Sequence, residues 1–224
     1  MTVNRVVVII PAYNEADTIK DTVHTTCIMP GIDEVVVVDD GSTDNTAFIA
    51  YEEGATVLQM DKNSGKGAAL NKAITEIEAD IYLLVDADLG ITAKETKRLL
   101  EPLSNGHADM SIAVMQAPPG HKGGFGLVMK LARWGIEKLT GSKVLAPISG
   151  QRAIRKEVLT AIGGFENKFG VEVALTIDAL RKGYRVVEME LPLKHRLTGR
   201  SLSGFTHRAE QFVDIARALW KRRH

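Results

Sequence analysis

Four short polar clusters near the start of the chain hold the side chains best suited to chemistry. They are Pro11-Ala12-Tyr13-Asn14-Glu15, Asp39-Asp40-Gly41-Ser42-Thr43-Asp44, Asn63-Ser64-Gly65-Lys66-Gly67 and Asp86-Ala87-Asp88. The last is the most informative. Two carboxylates at i and i+2, straight after an apolar run, suit a hard divalent cation that takes oxygen ligands and shares them with a diphosphate. A turn with two solvated aspartates is the alternative for that pair alone. A lysine between glycines ahead of a helix suits an anion, through the helix dipole and unpaired N–H groups. That loop is not a Walker A motif, because Met60 stands where the first glycine belongs and Gly67 where Ser or Thr belongs. The first cluster also lacks GxGxxG, so ATPase and dinucleotide-binding readings lose their main support.

Positioning these clusters falls to the segments between them. Apolar, β-branched runs at 6–10, 35–38, 56–60, 81–85 and 110–115 have the length and composition of strands buried on both faces. Amphipathic stretches at 16–27, 43–52, 67–77 and 93–103 have helical spacing. The alternation predicts an α/β fold, a mostly parallel sheet with helices on both faces. Ligands of such sheets bind beyond the carboxyl ends of the strands. All four polar clusters follow an apolar run, so together they would line one pocket. Ser42 or Thr43, and Thr92, are expected to cap helices. In the second half, a breaker-rich loop at 118–126 precedes a basic amphipathic helix at 127–139. The loop has the composition of a lid over a bound ligand, or of a plain surface connection. Strands are expected at 144–148 and 184–190, a helix at 171–181 and a last helix at 205–221.

Composition narrows the class further. At 224 residues and 24.4 kDa, with 45% hydrophobic and 25% charged residues, the chain reads as one globular domain. Lys+Arg and Asp+Glu are equal at 28 each, which removes any global argument for nucleic-acid binding. Cys27 is the single cysteine, so neither a disulfide framework nor a cysteine zinc site is available. No apolar run approaches the ~18–20 residues of a membrane span, and no signal pattern opens the chain, so the expected home is the cytoplasm. From Lys194 onward, eight lysines and arginines face only Glu210 and Asp214. This basic end suits an anionic substrate or peripheral contact with a membrane surface, or is a solvated helix face. Monomer and homo-oligomer both remain open.

In order and spacing, the four clusters resemble those of family 2 glycosyltransferases of the GT-A fold. The resemblance implies a nucleotide-sugar donor, a UDP- or GDP-sugar, and Mg²⁺ or Mn²⁺. It assigns Pro11, Tyr13, Glu15 and Asp40 to the nucleoside, with Ala12 and Ala87 on the same donor side. Lys66 would lie near base or phosphate, Asp86 would meet the ribose or sugar, and Asp88 would meet the metal. One domain, 1–224, would then divide into a nucleotide-sugar-binding half, 1–115, and an acceptor-binding half, 116–224. In the second half, Gly123-Gly124, Pro147-Ile148-Ser149-Gly150, Gly170-Val171-Glu172 and His195-Arg196 are similar to glucosyl-3-phosphoglycerate synthases. Ser149-Gly150-Gln151-Arg152-Ala153, Arg181-Lys182-Gly183-Tyr184-Arg185 and Arg196-Leu197-Thr198-Gly199-Arg200-Ser201 look like polyprenyl-phosphate hexosyltransferases. These similarities put Gly124, Ser149, Arg152, Arg196 and Arg200 on the acceptor side, where arginine suits a phosphate. They make His195 a second metal ligand, and Glu172, with Asp86, a catalytic group that activates the acceptor or orients the sugar.

Two rivals are weaker. A sugar-nucleotide pyrophosphorylase would need a Gly-rich, Arg-containing loop after the first strand, and 11–15 has neither. A non-catalytic nucleotide-sugar-binding protein fits the donor clusters but leaves Glu172 and the basic end without a task.

Overall fold

The computed structural model describes residues 4–115, 126–166, 170–194 and 203–223, with 203–211 as backbone alone. Its first half alternates strand and helix: β1 (Val6–Ala12), α1 (Ile19–Cys27), β2 (Glu34–Asp39), α2 (Thr46–Glu52), β3 (Thr56–Gln59), α3 (Lys66–Glu76) and β4 (Ile81–Leu84). A 3₁₀-helix (Gly90–Leu100) runs into α4 (Glu101–Ser104) and leads to β5 (Met110–Met115). Then come α5 (Gly126–Thr140), β6 (Arg152–Arg155), α6 (Lys156–Ile162), α7 (Val171–Arg181), β7 (Val186–Leu191) and α8 (Ser203–Lys221).

The strands form one seven-stranded sheet in the order β3-β2-β1-β4-β6-β5-β7. Every adjacent pair is parallel except those of β6, which runs antiparallel to both β4 and β5. Side chains alternate across the sheet, as strand geometry requires. On one face Val6, Val8 and Ile10 pack with Ile19 and Val23 of α1 and Leu99 of the 3₁₀-helix. On the other, Val7 and Ile9 pack with Leu70 of α3 and Leu175 of α7. A third cluster joins α5, α7 and α8 through Ile136, Ile177 and Leu219. Among the described residues, no helix is long and apolar enough to cross a membrane.

Three expectations are corrected. The stretch 144–148 is not a strand: the Leu145 and Ala146 amides donate to the Glu188 carboxylate at 2.7–2.9 Å, and Pro147 has no N–H to give a ladder. Ser42 and Thr43 do not cap α2. Asn45 is the N-cap residue without a side-chain capping bond, and Asp44 just before it accepts from the Thr46 amide at 3.0 Å and the Thr46 hydroxyl at 2.5 Å. Thr92 lies inside the 3₁₀-helix, its hydroxyl donating back to the Leu89 carbonyl at 2.7 Å. One strand went unanticipated. β6 is four residues long, Arg-Ala-Ile-Arg, and has charge at both ends instead of an apolar run.

Candidate active site

The carboxyl ends of β1, β2 and β4 lie side by side, and the polar clusters that follow them are tied to one another. After β1 the chain turns through Asn14, at φ 55°, a left-handed conformation that asparagine tolerates. The Asn14 amide donates to Ser42 Oγ at 2.9 Å, and Asn14 Oδ1 accepts from the Thr43 amide at 2.9 Å. The Glu15 amide donates to Thr46 Oγ1 at 2.8 Å. Pro11 and Ala12 end β1, and Tyr13 and Glu15 stand on the following loop, which is laced to the one after β2, with Ala12 buried and Tyr13 exposed.

Asp40 is buried, and its two oxygens accept from the Ser64 and Gly65 amides, both at 2.8 Å. It thereby anchors the loop that delivers Lys66 as the first residue of α3. A Cβ built on Gly41 would fall 2.6 Å from the Lys62 carbonyl carbon, so the close approach of these two loops depends on glycine there.

Lys66 is the centre of the site. Its ammonium contacts Asp86 Oδ1 at 2.8 Å and Glu172 Oε1 at 3.0 Å. Burial alone would lower the lysine pKa, but the two carboxylates outweigh it and raise the pKa above its ordinary value. Asp86 follows β4 by two residues, and Glu172 is in the first turn of α7, where a carboxylate also suits the helix dipole. Gln151 completes the group, donating from Nε2 to Asp86 Oδ2 at 2.5 Å. A Cβ on Gly150 would fall 2.5 Å from Lys66 Nζ and 2.6 Å from both Asp86 oxygens, so only glycine leaves room for the pair.

Four elements far apart in sequence thus meet in one cluster. Lys66, Asp86 and Glu172, expected at separate parts of the site, contact one another here, and Gln151 and Gly150 join them although neither was assigned a role. The one signal they carried was their place inside Ser149-Gly150-Gln151-Arg152, a match noted for its ends and not its middle. Asp88 and Ala87 lie beside Asp86, with the Ala87 carbonyl fixed by Thr22 Oγ1 of α1 at 2.8 Å.

Arg152 does not stand where a phosphate clamp must. It has no exposed surface, and its guanidinium donates to the Ser149 carbonyl at 2.8 Å, the Pro147 carbonyl at 3.1 Å and Thr176 Oγ1 at 2.8 Å. Burial lowers its pKa to about 10, against the pull of Glu172 and Glu188. It braces the 147–149 segment against α7 and is revised to a structural residue. Ser149 is also buried, its hydroxyl donating to Gln151 Oε1 at 3.3 Å, so it touches the cluster through that amide. Gly124, His195, Arg196 and Arg200 lie outside the described residues.

The donor set fits a hard divalent cation. Asp86 and Asp88 follow β4 at the carboxyl edge of the sheet, and carboxylates are the ligands such an ion takes. Among the described residues no three metal-ligating side chains converge into a cage, so such an ion would complete its shell from a ligand's phosphates.

A protein-family profile described as glycosyl transferase family 2 matches residues 7–163. The glycosyltransferase AglJ of Haloferax volcanii is 28% identical over 82% of this chain and 61% of its own length. The dolichol-phosphate mannosyltransferase of Pyrococcus furiosus is 29% identical over 88% of this chain and 58% of its own. The chain therefore spans roughly three-fifths of these two relatives. The crystal structure of glucosyl-3-phosphoglycerate synthase from Mycobacterium tuberculosis, in complex with Mn²⁺, UDP and phosphoglyceric acid, superposes with a TM-score of 0.82 at 28% identity. That match covers 98% of this chain and 78% of the other.

Proposed function

The chain belongs to glycosyl transferase family 2, and from that premise we propose that it moves a hexose from a nucleotide-sugar to a phosphate-bearing acceptor such as 3-phosphoglycerate. A UDP-sugar is the favoured donor. The observation that carries this is the Lys66–Asp86–Glu172 cluster, where a lysine at a helix start and two carboxylates meet at the carboxyl edge of the sheet. The likeness to a synthase solved with UDP, Mn²⁺ and phosphoglyceric acid supports both the donor and the acceptor class.

In this scheme the 1–115 half holds the donor and the 116–224 half the acceptor. Pro11, Ala12, Tyr13, Glu15 and Asp40 frame the nucleoside, Asp40 by fixing the loop behind it. Lys66 offers its ammonium to the diphosphate while holding both carboxylates in place. Asp86 accepts a donor hydroxyl. Glu172 takes the proton from the attacking acceptor hydroxyl, or orients the sugar when the attacking oxygen is already anionic. Asp88, with His195, would hold Mg²⁺ or Mn²⁺, whose chemistry is to neutralise charge on the departing diphosphate. Gly124, Arg196 and Arg200 are assigned to the acceptor by the resemblance alone.

Transfer to a polyprenyl phosphate is the second proposal, favoured by the surface of α5 and α8. Both tryptophans of the chain, Trp134 at 56% and Trp220 at 67% exposure, lie there with Leu127 and Phe212 also exposed. Lysines and arginines accompany them, as expected of a peripheral contact with anionic lipid.

The test is donor turnover across UDP- and GDP-sugars with Mn²⁺ or Mg²⁺, offering 3-phosphoglycerate and a short polyprenyl phosphate in turn. EDTA-sensitive transfer to 3-phosphoglycerate is expected. Transfer to the lipid phosphate alone would replace the first acceptor by the second. Tight UDP-sugar binding with no nucleotide release would make the protein a binding module instead.

A further inference from the structure

We propose that Gln151 is a positioning residue for the donor, holding Asp86 in one orientation through its second carboxylate oxygen; the role presupposes the donor chemistry above. Gln151 has no exposed surface, although glutamine is mostly found outside. A buried amide is costly unless its polar atoms are satisfied, and here both ends are. Nε2 donates to Asp86 Oδ2 at 2.5 Å, and Oε1 accepts from Ser149 Oγ at 3.3 Å. Chemistry sets the direction of this chain. An ionised carboxylate only accepts, so the NH₂ group must face Asp86, and the serine hydroxyl then donates to the amide oxygen.

Lys66 holds the other Asp86 oxygen at 2.8 Å. Anchored at both oxygens, the carboxylate cannot swing about its Cβ–Cγ bond, and its lone pairs point in fixed directions. The backbone enforces this arrangement. β4 and β6 pair antiparallel with Leu84 opposite Arg152, and continuing that register by two residues sets Asp86 opposite Gly150. Gly150 has no Cβ to push the lysine or the carboxylate aside, and Gln151 follows it with its side chain on Asp86. A hydroxyl bonded to a carboxylate so held contributes about 10–100-fold to binding.

The test measures calorimetric binding with Mn²⁺ to wild-type, Gln151→Leu and Gln151→Glu proteins. The probes are UDP against 2′,3′-dideoxy-UDP and UDP-glucose against UDP-2-deoxyglucose. Wild type is expected to lose about 10–100-fold on the pair whose deoxy member lacks the hydroxyl that Asp86 accepts. Gln151→Leu should bring that ratio close to one and leave the other pair unchanged, while the melting temperature falls by a few degrees because buried Ser149 loses its partner. Gln151→Glu keeps the shape but sets carboxylate against carboxylate. It should lose the same discrimination, because no N–H remains to hold the second Asp86 oxygen. Undiminished discrimination in both variants would overturn the role. So would a uniform loss across all four ligands, the mark of a merely structural residue. Wild type that binds nucleotide but distinguishes neither pair would overturn it as well. Wild type that binds none of the four would overturn the donor chemistry itself, and the positioning role with it.

Discussion

Glu172 and Gly150 make opposite demands on the same few cubic ångströms, one supplying charge and the other absence. Glu172→Gln keeps the shape but removes a carboxylate from Lys66. Turnover with 3-phosphoglycerate should fall about 10²–10⁴-fold if Glu172 is the base, with binding of UDP and Mn²⁺ little changed. With a lipid phosphate as acceptor the loss should be small, since that oxygen needs no deprotonation, so steady-state kinetics on both acceptors separate the two tasks. Gly150→Ala places a methyl 2.5 Å from Lys66 Nζ. Overpacking of that kind costs about 1–3 kcal/mol, roughly 2–12 °C in melting temperature for a chain of this size. Donor binding should be lost alongside, because the lysine and Asp86 must separate; calorimetry and a thermal melt check both. The residues of the first half that meet here were legible because each follows its own apolar run by one or a few positions. Gln151 was not, because its meaning lies in a partner 65 positions away.

Elements explain what could be read from the chain and what could not. The strands at 6–10 and 35–38 announce themselves by unbroken Val/Ile runs and that at 110–115 by an apolar stretch broken only at Ser111, and the structure places strands on all three. β6 escaped because four residues bracketed by arginines carry no periodicity, and its burial comes from β4 and β5 on either side. Arg152 misled because the resemblance put it on the acceptor side, where arginine suits a phosphate, and only the surrounding sheet and α7 show it enclosed. α8 offers a test at this scale. Its end is fastened to Glu166, which pairs with Lys221 and Arg222, and Arg222 also reaches Asp178 at 2.5 Å. The hydrogen bond from Lys221 lowers the Glu166 pKa below its usual value, despite burial. The folded pKa therefore lies under the unfolded one. This contribution is fully present above about pH 4.5 and is lost as pH falls through the folded pKa. In a Trp134→Phe background, Trp220 fluorescence should shift in that acid range before the sheet unfolds, and a Glu166→Gln variant should show the shifted emission already at pH 7. An unchanged signal up to global unfolding would show that the helix end is held by other means.

At the scale of the whole molecule, the two halves assigned to donor and acceptor are not two halves of the sheet. β5 belongs to 1–115, yet both its neighbours, β6 and β7, come from beyond it. β6 in turn is wedged between β5 and β4, closing the sheet with strands from both sides of the division. A fragment ending at Met115 would carry a six-residue apolar strand with no ladder to join and would leave β4 as an open edge. Unpaired strands of this kind template association with other chains. Such a fragment should come out of cells as aggregate, whereas co-expression with 116–224 should recover soluble, UDP-binding protein, as size-exclusion chromatography would register. During synthesis the same geometry delays closure: the ribosome must release the second half before β4 and β5 find the strand that lies between them, and until then the nascent chain depends on being shielded.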